Sequence, residues 1–258
     1  MIPKVIHYCW FGRNPLPELA IKCIESWKKY FPDYEIIEWN EDNFDVNMIP
    51  YTQEAYKAKK YAFVSDYARF WILYNHGGLY FDTDVEVIKP FDKIINDGPF
   101  MGFEQPTEQG KAILKNCEFN NDGFGVNPGL GLGACSSHPF IKTMLEKYAR
   151  LHFINIDGSF NQTTIVKYTT DLLLENGLKL NNKKQNIAGI QIYPWDYFCP
   201  QSCYTNKIYI SDNSVSIHLY AASWYSKGQK IAAIVSKIIG KKMLHFIANL
   251  LKKLRIIR

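Results

Sequence analysis

Residues 65–84 read SDYARFWILYNHGGLYFDTD. Upstream and within this run, Ala62, Phe63, Tyr67, Phe70, Trp71 and Tyr74 fall on neighbouring faces of a helical wheel, which predicts one long helix over 52–75. His76-Gly77-Gly78 ends it, because glycine accepts the left-handed backbone common at helix C-termini. LYFDTDVEVI (79–88) follows as a strand rich in Val, Ile and aromatic residues, closed by Pro90.

The surrounding chain fits the same α/β pattern. IPKVIHYCW (2–10) reads as a short buried strand, FGRNPLP (11–17) as a loop, and 17–30 as a helix with Leu19, Ile21, Ile24 and Trp27 near helical spacing. Pro32 stops it and 34–39 is a second strand. A strand–helix–strand opening predicts a parallel α/β sheet. Further on, 138–151 and 162–176 read as helices and 215–219 as a late strand. Residues 104–133, rich in Gly, Asn and polar side chains, read as active-site loops around short strands. Asn161-Gln162-Thr163-Thr164 reads as a helix cap. With 258 residues, no internal repeat and no low-complexity linker, the chain divides into one domain over 1–226 and a tail over 227–258.

Asp66 and Arg69 lie three apart and share a helix face. Asp82 and Asp84 lie two apart on a strand or its end, so their carboxylates point to one side. Two such groups between LYF and VEVI are costly to bury unless a cation sits between them. Carboxylate oxygens suit Mg²⁺ or Mn²⁺, particularly when phosphate oxygens complete the shell. An Asp-X-Asp triplet by itself is more often a solvated turn; the apolar flanks are what favour a metal here.

The run SDYARFWILYNHGGLYFDTDVEVIKPF (65–91), with IPKVIHYCWFG (2–12) and SIHLYAASW (216–224), resembles glycosyltransferase family 32. That family includes yeast-type α-1,6-mannosyltransferases and bacterial capsule-polysaccharide enzymes, and is similar to the catalytic domain of the large clostridial glucosylating toxins. The resemblance implies a GT-A-like nucleotide-diphospho-sugar transferase fold, a mainly parallel central sheet flanked by helices, and retaining transfer of a hexose. It implies stacking of Trp10 on the nucleotide base and donor contacts from Asp66, Arg69 and Tyr80. Asp82 would touch ribose or a metal-bound water, and Asp84 would ligate Mn²⁺ or Mg²⁺ directly, with His218 as a further metal-ligand position. Ser223 and Trp224 would close over the diphosphate, and Asn127 would contact the transferred sugar. The catalytic set is then Asp82, Asp84, Arg69 and Asn127. Each has a plainer alternative: core rings for Trp10 and Trp224, a structural helix pair for Asp66 and Arg69, a satisfied core histidine for His218, and an Asn-Pro-Gly turn for Asn127.

Of the 30 Lys and Arg residues, nine follow Ser226, where there is no Asp or Glu; the remainder of the chain is mildly acidic. Ile231, Ile234, Val235, Ile238 and Ile239, then Leu244, Ile247, Ala248 and Leu251, follow helical spacing between these cations. That is the pattern of an amphipathic helix lying in an anionic membrane interface, the alternative being a helix packed on the body. No nucleic-acid recognition motif accompanies the charge. Six cysteines without zinc-site spacing, no secretory signal and no run of about 18 apolar residues place the protein in the cytoplasm, peripheral at the inner face of the cell membrane. The expected partners are a nucleoside-diphosphate sugar and a glycan acceptor, lipid-linked in this setting. A protein-modifying transferase, a non-catalytic nucleotide-sugar-binding module and a phosphohydrolase are the competing readings.

Overall fold

The computed structural model describes residues 1–105, 125–203 and 205–221. The main sheet begins with β1 (Val5–Cys9), whose parallel neighbours are β2 (Glu35–Trp39) on one side and β3 (Gly78–Tyr80) on the other. The crossover from β1 to β2 is α1 (Glu18–Tyr30); that from β2 to β3 runs through α2 (Pro50–Lys57) and α3 (Tyr61–His76). From β3 the sheet continues through β7 (Leu132–Ala134) to β5 (Phe100–Phe103), both steps antiparallel. It then runs to β9 (Ile190–Tyr193), parallel to β5, and ends at β8 (Gln185–Ile187). β6 (Val126–Asn127) pairs with β5 off this path. A separate two-stranded sheet joins β4 (Val85–Val87) to β10 (Ser216–His218), antiparallel. The remaining helices among the described residues are α4 (Asp92–Asn96), α5 (Pro139–Tyr148), α6 (Ile165–Glu175) and α7 (Trp195–Phe198).

Helices cover both faces of the main sheet, as the α/β reading expects, and two apolar cores result. One joins α2, α3, α5 and α6 through Tyr51, Phe70, Leu73, Met144, Tyr148 and Leu173. The other packs Ile24 and Trp27 of α1 against Phe81, Phe91, Phe100 and Phe198. The Trp27 indole is fully buried and donates to the Val85 carbonyl at 2.8 Å, so its polar atom is satisfied. Thr164 caps α6 as expected, its hydroxyl accepting from the Lys167 amide.

Two predicted elements are each broken into two. The helix over 52–75 divides at Lys59, which has φ 56°. Lys60 donates its amide to Ala55 O at 2.8 Å and Lys59 donates to Tyr56 O at 2.9 Å, a Schellman termination made without glycine. The strand over 79–88 is likewise two strands in different sheets. Between them Val85 donates to Asp82 O at 3.0 Å, so the two aspartates sit at a turn rather than along a strand. The tail over 227–258 and its boundary at 226 lie outside the described residues.

Gly133 stands opposite Phe100 in the β5–β7 pairing, and a Cβ there would come within 2.3 Å of the Phe100 ring. Gly133→Ala is expected to destabilise the fold by about 1–3 kcal/mol through overpacking, measured by urea denaturation.

Candidate active site

β1 and β3 are parallel, so their C-terminal ends meet at one edge of the sheet, where ligand crevices of α/β proteins form. α3 brings Asp66 and Arg69 to this edge. Both are buried, at 8% and 3% exposure. Arg69 Nη2 lies 2.9 Å from Asp66 Oδ1 and 3.3 Å from Asp82 Oδ1, while Nε donates to Ser65 O at 3.2 Å. The guanidinium lies over the Tyr80 ring at 4.8 Å, and the Tyr80 hydroxyl donates to Asp82 Oδ1 at 3.2 Å. Asp66, Arg69, Tyr80 and Asp82 are therefore one connected network. Burial pushes the Asp66 carboxyl up to about 7, with Arg69 acting against the rise and Asp82 adding to it. For Arg69, burial alone would lower the pKa; the charge of Asp82 foremost overcomes this and holds the guanidinium above its ordinary value.

Arg69 Nη1 is buried and has no hydrogen-bond partner. Beside it is Gly129. A Cβ on Gly129 would stand 2.9 Å from Nη1 and 2.0 Å from Asp82 Oδ2. Only glycine fits here: Asp82 Oδ2 packs against the Gly129 backbone beside the buried Arg69 Nη1.

The second half of the site comes from the two-stranded sheet. Pairing of β4 with β10 sets His218 opposite Val85, next to Asp84. His218 Nε2 lies 3.1 Å from Asp84 Oδ1, and the Ala221 amide donates to Asp84 Oδ2 at 2.8 Å. Burial alone would lower the His218 pKa, but Asp84 outweighs it and raises the ring to about 9. For Asp84, burial acts upward and the His218 charge and hydrogen bond win, so its carboxyl lies below the ordinary value. Asp82, Asp84 and His218 each offer one ligand atom, all within 4.8 Å of one another. Two carboxylates and an imidazole form a donor set that fits a divalent cation. The turn achieves the convergence that an extended strand was expected to supply.

Trp10 follows β1 at the same edge of the sheet. It is partly buried, packed against the core that holds Trp27 and Phe81, and its indole donates to Asn14 O at 2.7 Å. Asn127 is 7% exposed with both ends of its amide engaged: Oδ1 accepts from the Gly129 amide at 2.7 Å and Nδ2 donates to Glu104 Oε1 at 2.7 Å. Asn127 therefore shapes the turn and also reaches the site wall, which brings in Glu104, a residue the sequence reading passed over. No motif marks Glu104; it follows β5 in FMGFEQ, and only its pairing with Asn127 reveals it. Ser223 and Trp224 lie outside the described residues.

The profile of the glycosyltransferase sugar-binding region containing the DXD motif matches residues 17–101, which include Asp66, Arg69, Asp82 and Asp84. An uncharacterized glycosyltransferase of Acanthamoeba polyphaga mimivirus is 36% identical over 232 residues, 87% of this chain and 84% of its own. The chain belongs to the DXD glycosyltransferases. Inositol phosphoceramide mannosyltransferase 1 of Schizosaccharomyces pombe is 27% identical over 194 residues, 70% of this chain and 50% of its own. The chain spans about half the length of inositol phosphoceramide mannosyltransferases 1 and 3 of that yeast. Among solved structures, the PaToxG glycosyltransferase aligns over 67% of this chain and 69% of its own, with 18% identity and a TM-score of 0.46.

Substituting Gly129 by Ala places a methyl group on the Asp82 carboxylate. The expected outcome is a lowered thermal midpoint together with Mn²⁺ affinity reduced about tenfold or more, read by electron paramagnetic resonance of free Mn²⁺.

Proposed function

We propose that the chain transfers a hexose from a nucleoside-diphosphate sugar to a glycan acceptor, with retention of anomeric configuration. The observation that carries this reading is the convergence of Asp82, Asp84 and His218 beside the unpartnered Nη1 of Arg69. Cleaving the anomeric bond releases a diphosphate, whose developing charge needs stabilisation in a partly buried site. A divalent cation held by Asp84, Asp82 and His218 would supply that stabilisation as a Lewis acid. Arg69, its orientation fixed by Asp66 and Asp82, sets a buried positive charge beside the carboxylates, where it favours the donor's diphosphate. Trp10, partly buried at the same sheet edge, offers a stacking face for the base, and Tyr80 holds Asp82 in place. Ser223 and Trp224 are assigned to closure over the diphosphate on the resemblance of SIHLYAASW.

A UDP-sugar is the favoured donor, with GDP-mannose the alternative; the yeast relatives' names support a mannosyl group as the one transferred. Those names also carry a ceramide acceptor, in keeping with a lipid-linked glycan, as in capsular or other surface polysaccharide assembly. The cation is assigned as Mn²⁺ or Mg²⁺. Turnover of a panel of UDP- and GDP-sugars, each with Mn²⁺, Mg²⁺ or chelator, tests the assignment. Asp84→Ala is expected to lower metal-dependent turnover at least a hundredfold; full turnover by this variant overturns it.

No helix among the described residues is long and apolar enough to cross a membrane. The basic, amphipathic sequence over 227–258 is proposed to hold the enzyme at the inner, anionic face of the cell membrane, each cation near the surface contributing about 1 kcal/mol. Removal of 227–258 is expected to abolish co-sedimentation with phosphatidylserine vesicles; unchanged sedimentation counts against the tail as anchor.

A further inference from the structure

Glu104 is fixed in the wall of the site but is not one of the three metal-ligating groups. Its amide donates to Gly125 O at 2.8 Å, and its Oε1 accepts from Asn127 Nδ2. Asn127 in turn holds the Gly129 amide, and Gly129 O accepts from the Asp82 amide at 3.0 Å. A continuous run of hydrogen bonds therefore sets Glu104 at a fixed place relative to Asp82. The residue is half-buried, no described residue donates to its Oε2, and that atom is absent from the sealed polar atoms of the core. Asp82 and His218 both lie within electrostatic reach of the carboxyl.

The charge of Glu104 restricts what it can receive. A phosphate oxygen would be repelled by the carboxylate, and the guanidinium of Arg69 is already committed to Asp66 and Asp82. A hydroxyl is uncharged and can donate, and a hydrogen bond to a carboxylate is stronger than one to a neutral amide. Asn127, to which the family resemblance assigns the sugar, has its carbonyl occupied and is nearly sealed. We propose that Glu104 receives a sugar hydroxyl at the transfer point through Oε2, with Asn127 acting as its positioning residue. This rests on the nucleotide-sugar reading of the site. The hydroxyl belongs either to the transferred hexose or to the acceptor, and the two sources separate experimentally.

The full chain and its Glu104→Gln variant are compared with Mn²⁺ by calorimetry against UDP, GDP, UDP-glucose, UDP-galactose and GDP-mannose. Hydrolysis of the bound nucleotide sugar and its transfer to methyl glycosides of mannose, glucose and galactose are measured alongside. If the hydroxyl is the donor's, the variant binds the nucleoside diphosphate as wild type does and the nucleotide sugar about tenfold more weakly. If it is the acceptor's, donor binding and hydrolysis are unchanged and transfer falls about tenfold, as a rise in acceptor KM. Equal behaviour of variant and wild type in every measurement overturns the proposal, as does parallel loss of nucleoside diphosphate and nucleotide sugar. Wild type that binds none of the five nucleotides sinks the function reading itself, a result distinct from both. Should Glu104→Gln fail to fold, Glu104→Asp, which keeps the charge but withdraws it, is expected to show the same selective loss.

Discussion

A buried guanidinium is the constraint around which this site is built. Arg69 is almost fully removed from water, a condition that costs several kcal/mol unless carboxylates compensate it. Asp66 supplies one from the preceding turn of the same helix, and Asp82 supplies the other from the sheet edge. The two are unequal. Burial lifts the Asp66 carboxyl to about 7, whereas Asp82 is the foremost influence holding the Arg69 proton. Arg69 thereby ties α3 to the turn after β3, and any movement of that turn would leave a cation buried with a single carboxylate. Its remaining nitrogen is buried against Gly129, where no side chain would fit.

The turn at Asp82–Val85 has a second consequence. It moves the chain out of the main sheet and into the pairing with β10, so that His218, more than a hundred residues away, lies against Asp84. The imidazole and carboxylate stabilise each other's charged forms, so an acidic side chain can be held in a largely apolar setting. The same acidic turn is anchored below by Trp27, whose indole holds the Val85 carbonyl, and on its flank by the backbone bond from Asp82 to Gly129. Apolar packing on the α1 side and polar linkage on the β5–β6 side thus meet at one turn of four residues. Residues beyond the ligand set, such as Asn127 and Glu104, are held to the same frame.

Much of the fold was legible because it follows local rules. The alternation of β1, α1 and β2 shows in the hydrophobic spacing, His-Gly-Gly marks the end of α3, and Thr164 marks the start of α6. The break at Lys59 was not legible, since a left-handed lysine closes a helix that Ala58-Lys59-Lys60 would otherwise continue. The break at Asp82 was hidden for a related reason: LYFDTDVEVI has strand composition throughout, and only competition between two sheets for its ends divides it.

The sequence alone determined the α/β class, the family, and the residue types of the site: Asp66 and Arg69 on one helix face, and Asp82 and Asp84 beside apolar neighbours. The class and the paired site residues depend on periodicity and on spacings of two to four residues, which the covalent chain sets by itself; the family rests on the resemblance of 65–91 together with 2–12 and 216–224. Only the tertiary structure decided that His218 meets Asp84, that Gly129 lets Asp82 close on Arg69, and that Asn127 turns inward to hold Glu104. Each of these pairs residues from separate strands or loops, and such contacts arise from strand pairing and core packing, which local spacing does not encode.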